Sequence, residues 1–120
     1  MKTIVIPAAL AGALLAPAAW CACEMPSLVA SIPDGATATE EQLLSVQQEV
    51  KAYIAAMDAY IACQNEEIAA NDATASSEFL YLMSSRIESA RSEVDAVATR
   101  FNDQVNAYRA ARDARAPGLP

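Results

Sequence analysis

The stretch "LYLMSSRIESARSEVDAVATRFNDQVNAY" at residues 80–108 decides the fold. Its apolar residues recur at alternating steps of three and four, the heptad spacing that aligns side chains along one side of an α-helix. The positions are Leu80, Met83, Ile87, Ala90, Val94, Val97, Phe101, Gln104 and Tyr108. The spacing predicts a helix over about 77–114. The arginines near the end of this stretch fit the prediction, because positive charge is favourable at the negative end of a helix dipole.

A second heptad stretch precedes this one in the chain. Thr39 can cap a helix that starts at Glu40, and Gln42 can complete a capping box by reaching back to the backbone of Thr39. The stepping positions are Leu43, Val46, Val50, Tyr53, Met57, Tyr60, Gln64 and Glu67, with Ile54, Ile61 and Ile68 beside them. This pattern predicts a first helix over about 40–70.

Three polar residues, Gln64, Glu67 and Gln104, interrupt the two apolar stretches. We expect them to lie near helix ends, where solvent reaches them. The alternative is a buried polar layer that sets the register of the helices.

Turn and cap residues fill 71–77, a connection short enough to make the two helices antiparallel neighbours. Folding there sets residues opposite each other when their numbers add up to about 150. The predicted fold is therefore all-α, a long coiled-coil-like antiparallel hairpin of two helices over 39–116. The residues predicted to form its interface are Tyr53, Met57, Tyr60, Val94, Val97 and Phe101.

The segment before the first helix has a different composition. Pro26 and the sequence Pro33-Asp34-Gly35 replace heptad periodicity with residues typical of extended chain and turns. Residues 19–38 are therefore predicted to be an extended arm, and residues 117–120 a short tail. Trp20, Leu28, Val29 and Ile32 give the arm apolar side chains to bury.

The first 18 residues have the order of a secretory signal peptide. Lys2 is followed by an apolar run and then by the small residues of Ala16-Pro17-Ala18. A retained membrane anchor is less favoured, because prolines and a glycine interrupt a run that is shorter than the about 20 residues of a membrane span. We expect cleavage after Ala18, export to the periplasm or beyond, and no stable membrane span afterwards.

The chain is acidic, with a formal net charge of -7 that loss of Lys2 would change to -8. Nucleic acids and anionic lipids both require clustered Lys or Arg. The composition therefore argues against either as a partner.

Three cysteines are present, and export favours their oxidation to disulfides. Cys63 lies 24 residues beyond Thr39, about 36 Å of helix, while the 16 steps from Cys23 to Thr39 span up to about 53 Å. The arm can thus reach Cys63 through Cys23 or through Cys21. A lipid anchor is disfavoured because Trp20 precedes Cys21, and a soft-metal site at Cys21-x-Cys23 with Met25 is an alternative.

Catalytic chemistry has little basis in the sequence. The chain has no histidine, and the adjacent carboxylates Glu40-Glu41 and Glu66-Glu67 point about 100° apart on a helix. The three glycines are isolated, so no glycine-rich phosphate loop occurs. We expect a protein that is not an enzyme and has no catalytic, cofactor-binding or metal-binding residues.

The order of segments resembles that of a group of known proteins. A cleavable signal, Cys23, Pro26, "IPDGATATEEQ" at 32–42, "VKAYIAAMDAYIAC" at 50–63 and "VDAVATRFNDQVNAYRAAR" at 94–112 resemble small exported helical proteins of unknown function from Gram-negative bacteria. The resemblance implies a periplasmic helical hairpin in which Cys23 and Cys63 are bridged. It implies no activity, and Cys21 departs from the pattern.

These features favour a structural or protein-interaction module of the cell envelope. Two helices alone bury little apolar surface, so we expect a homodimer or an envelope protein partner. The alternative is a small-ligand or soft-metal binding protein that uses the N-terminal cysteines.

Overall fold

A computed structural model describes residues 23–28 and 31–116, and within them the chain forms two long helices. Helix α1 spans Glu40–Asn71 and helix α2 spans Ser77–Arg115, with no strand in the described part. The predicted all-α hairpin, with an arm tied to it by a disulfide, is confirmed. The predictions for the signal peptide, Trp20, Cys21, Val29 and the tail fall outside the described residues.

Both helices begin at caps that are visible in the sequence. The Thr39 hydroxyl accepts a hydrogen bond from the Gln42 backbone at 3.2 Å, and the Gln42 side chain accepts one from the Thr39 backbone at 2.9 Å. These are the two reciprocal bonds of the predicted capping box. Ser76 caps α2 by accepting from the Phe79 backbone at 3.1 Å. The five residues between the helices therefore contain the second cap as well as the turn.

The heptad residues form the core between α1 and α2. Met57, Met83 and Ala90 lose nearly all of their solvent exposure there. The main core cluster is Val46, Val50, Tyr53, Met57, Tyr60, Ala90, Val97 and Phe101. Because each helix contributes one narrow row of side chains, the core is one layer thick along the hairpin, and the flanking rows remain half-buried or exposed.

The arm is fixed to the hairpin at both of its ends. Near its start, Cys23 is bonded to Cys63 of α1, and Ile32 packs against the core. The expectation that Leu28 is buried is wrong, because its side chain is 70% exposed. Near its end, the Gly35 backbone donates a hydrogen bond to the Gln104 side chain of α2 at 2.8 Å. A Cβ atom at Gly35 would overlap the backbone carbonyl of Gln104, so this contact requires glycine.

Neither helix is both long enough and apolar enough to cross a membrane, as judged over the described residues.

Candidate functional site

The disulfide is the most reactive group that the structure places. The Glu67 carboxylate lies one helical turn after Cys63, and its Oε1 atom is 3.5 Å from the Sγ atom of Cys23. Because a bonded sulfur carries no proton, this approach is a contact between a carboxylate and a disulfide and not a hydrogen bond. A negative charge at this place opposes attack by a thiolate and opposes formation of a thiolate at Cys23.

The same three residues have the spacing of a metal site. One ligand atom from each of Cys23, Cys63 and Glu67 lies within 4.8 Å of the others, and all three residues are half-buried. Metals bind the thiolate form of cysteine. The sulfurs therefore offer no such ligand while the Cys23–Cys63 bond is intact.

The predicted interface residues meet within the single chain. Tyr53, Met57, Tyr60, Val97 and Phe101 are buried in the core between α1 and α2, and Val94 is half-buried against it. They hold the hairpin together. Any other molecule that binds the folded hairpin must contact side chains outside this row.

The expectation that the three interrupting polar residues are reached by solvent is wrong for Gln64. Its side chain is 1% exposed, and its Oε1 atom lacks a hydrogen-bond partner among the described residues. Glu67 and Gln104 are half-buried, at the disulfide and at the Gly35 contact respectively. The arm explains these two positions, because it approaches the hairpin where each of them lies.

Tyr53 carries a second buried polar atom without a partner in the described part of the chain, its hydroxyl oxygen. Burial raises the pKa of this hydroxyl above its usual value, and the nearby negative charge of Glu93 raises the pKa further. The neutral phenol is thus the form that the fold accommodates.

Large apolar side chains also lie outside the core. At the end of the hairpin where the turn lies, which we call the tip, Leu80, Tyr81 and Leu82 are consecutive and exposed, Tyr81 by 78%. At the opposite end, which we call the open end, Leu44 is 54% exposed. Leu80 is the first member of the α2 heptad row but is 37% exposed. Leu44, Tyr81 and Leu82 lie beside the heptad rows that predict the core. The signal that could have identified them is a large apolar residue at an outward heptad position.

Leu44 belongs to a groove between the helices at the open end. Its walls are formed by residues of both helices: Glu40, Leu43, Leu44, Gln47, Phe101, Val105, Tyr108, Arg109 and Arg112. The groove combines apolar side chains with two guanidinium groups and the carboxylate of Glu40. It can therefore receive an apolar side chain together with a polar or aromatic group.

Comparison of the chain with protein-family models, with curated proteins and with solved structures gives no match. The resemblance to small exported helical proteins thus stays a prediction from the sequence.

Proposed function

We propose that this protein is an exported structural or protein-interaction module of the cell envelope that has no catalytic activity. The observation that carries the proposal is the exposure of Leu44 and Tyr81 on a hairpin whose core row is already filled. Large apolar side chains at such positions stabilise a protein when another protein surface covers them. A rigid hairpin presents them at fixed separations along its length.

Two features support export. The sequence begins with the order of a signal peptide, and the arm is held by the Cys23–Cys63 disulfide. Disulfides persist mainly in oxidising compartments such as the bacterial periplasm and the extracellular space. The proposed location is therefore the periplasm or the exterior of the cell.

The proposal is tested by photo-crosslinking in intact cells. A photoreactive residue at Leu44 or at Tyr81 is expected to give protein adducts, because both side chains lie on surfaces that we expect to be covered. The matched control is Gln48, an exposed polar residue of α1. Cell fractionation and N-terminal sequencing of the same material check export and cleavage after Ala18. Absence of adducts at both apolar positions would contradict the proposal.

The alternative function, binding of a soft metal or a small ligand, is favoured by the cluster of Cys23, Cys63 and Glu67. It requires the reduced chain, since the disulfide offers no thiolate. Intact mass and metal content of protein taken from its own compartment separate the two functions. A mass lower by two hydrogens, assigned to Cys23 and Cys63, together with no bound metal, would remove this alternative.

A further inference from the structure

The two long sides of the hairpin differ in what covers them. The arm lies along one side, where Ser31 and Pro33 adjoin Gln42 and Ser45, and where Cys63 holds Cys23. Because Gln42 and Cys63 are three heptads apart, they belong to one row along α1. On the other side, no residue of the described arm lines the groove between the helices.

We call this other side the open face. The groove identifies it, because Leu44 and Gln47 of α1 line the groove together with Val105 and Arg109 of α2. Continuing these rows by steps of seven gives the remaining members. Helix α1 contributes two rows, one of Leu44, Lys51, Asp58 and Asn65, and one of Gln47, Ile54, Ile61 and Ile68. Helix α2 also contributes two, one of Tyr81, Glu88, Asp95, Asn102 and Arg109, and one of Ser84, Arg91, Ala98, Val105 and Arg112.

The centre of the open face is apolar and incompletely covered. Ile54, Ile61, Ile68, Ala98 and Val105 are half-buried, and they follow the hairpin for most of its length. The rows from Leu44 to Ile68 extend for about 36 Å, and two adjacent helices are about 20 Å wide. The resulting footprint of about 700 Å² is close to the area of about 800 Å² that each partner contributes to a stable interface of ordinary size.

Charge is distributed unequally between the two ends of the hairpin. Residues 52–85 contain five carboxylates and no Lys or Arg, whereas the open end carries Arg109, Arg112 and Arg115 together with Glu40, Glu41 and Asp113. Two copies aligned in the same direction would bring their acidic tips together. Two copies aligned in opposite directions keep the acidic tips apart.

The residue pattern specifies one register for the opposed alignment. Between the two α1 helices, Lys51 meets Asp58 and Leu44 meets Asn65, pairs whose numbers add up to 109. Between the two α2 helices, Tyr81 meets Arg109, a pair whose numbers add up to 190. Half of each sum gives the position in the helix that lies at the two-fold axis, about 54.5 in α1 and 95 in α2. These two positions add up to about 149.5.

That value agrees with the structure of the single chain. Leu44 and Val105 line the groove from opposite helices, and their numbers add up to 149. The two positions at the axis therefore lie at the same height of the hairpin. One two-fold axis satisfies the α1 pairs and the α2 pair at the same time.

We propose that the partner of the open face is a second copy of this chain, packed antiparallel about a two-fold axis near Ile54 and Asp95. The inference rests on the proposed function, because it names the partner of the interaction module. Leu44 of each copy is covered between Ile61 and Ile68 of the other, and the ring of Tyr81 receives the guanidinium of Arg109. Arg91 lies one helical turn from Asp95 and offsets the approach of the two Asp95 carboxylates at the axis.

Sedimentation equilibrium of the mature chain tests the surface. Leu44→Lys is expected to raise the dimer dissociation constant at least tenfold, since it places a cation in the apolar centre of both half-sites. The matched control is Leu82→Lys, because Leu82 is 48% exposed but lies in a row on the side of the arm. The control is expected to stay within about twofold of the unmodified chain. Equal effects of the two substitutions would overturn the assignment of the face.

A charge exchange tests the register. Lys51→Glu replaces two attractive pairs with two repulsive ones and is expected to weaken the dimer about tenfold at low salt. Adding Asp58→Lys restores opposite charges and is expected to recover most of the affinity. Both side chains are exposed in the single chain, so circular dichroism should show the same helical content in all variants. Failure of the second substitution to recover affinity would overturn the register.

Spin labels at Ser84 test the direction, in a chain where Cys21 is replaced by Ser so that the label has one target. The antiparallel dimer places the two labels 22 residues apart along α2, about 33 Å, whereas a parallel dimer keeps them at one height and below about 25 Å. A short distance, or a monomer at high concentration, would overturn the inference. A monomer that still gives adducts to another envelope protein would leave the proposed function standing, and a monomer without adducts would remove both.

Discussion

The Oε1 atom of Glu67 lies 3.5 Å from the Sγ atom of Cys23, although the two residues are 44 positions apart in the chain. The contact arises because the disulfide brings the start of the arm to Cys63, one helical turn before Glu67. Glu67, a member of the α1 heptad row, thus lies beside the one disulfide that the structure describes.

Glu67→Gln is expected to make the disulfide about three to ten times faster to reduce. The substitution removes a negative charge that repels the attacking thiolate and that disfavours Cys23 as the leaving thiolate. The rate is measured with dithiothreitol at pH 8, with the free thiols counted over time. Glu66→Gln is the matched control, because Glu66 is an exposed neighbour without the sulfur contact. Equal rates for both variants would contradict the electrostatic role of Glu67.

Replacing both bonded cysteines by alanine is expected to lower the free energy of unfolding by about 4 kcal/mol. The disulfide joins residues separated by 40 positions, and closing a loop of that length removes entropy from the unfolded chain. Urea unfolding followed by circular dichroism measures the change. A loss below about 1 kcal/mol would mean that the unfolded chain is already constrained without the bond.

Gly35→Ala is expected to lower the free energy of unfolding by about 2–3 kcal/mol and to release the turn of the arm from α2. The added Cβ would overlap the Gln104 carbonyl and come within 3.0 Å of the Tyr108 backbone nitrogen, so the turn must move as a whole. Amide hydrogen exchange at position 35, compared between the variant and the unmodified chain, reports the loss of the backbone hydrogen bond to Gln104. Ala36→Ser, at the exposed neighbouring position, is the control and is expected to change the stability by less than about 0.5 kcal/mol.

The sequence was sufficient for the elements that depend on local chemistry. Heptad spacing identifies the core rows, because an antiparallel pair of helices buries one row from each, and Thr39 with Gln42 identifies the start of α1. The length of the arm limits the disulfide to Cys21 or Cys23 but cannot choose between them, since both reach Cys63. The resemblance implied Cys23, which the structure bonds to Cys63.

The places where the arm meets the hairpin could not be predicted in the same way. The Gly35 contact with Gln104 joins residues 69 positions apart, and no periodic pattern relates an extended segment to a helix. Burial of Gln64 was likewise missed, because a polar side chain in a heptad row is compatible with both solvent and core. Such contacts depend on tertiary packing and not on local propensity.

Tyr53→Phe is expected to raise the free energy of unfolding by about 1 kcal/mol at pH 7, because it removes a buried hydroxyl that has no partner among the described residues. It should also reduce the loss of stability at alkaline pH. The pKa of Tyr53 is raised in the fold by burial and then by Glu93, so the unfolded chain releases this proton first. The contribution of this pKa difference to the free energy of unfolding is fully present below the ordinary tyrosine pKa of about 10. It is lost as the pH rises through the higher pKa that Tyr53 has in the folded chain. Urea unfolding from pH 7 to pH 11 measures both effects, with Tyr81→Phe, at an exposed position, as the control for losing a hydroxyl at pH 7. If Tyr53→Phe left the alkaline slope unchanged, the phenol would have to ionise equally in both states.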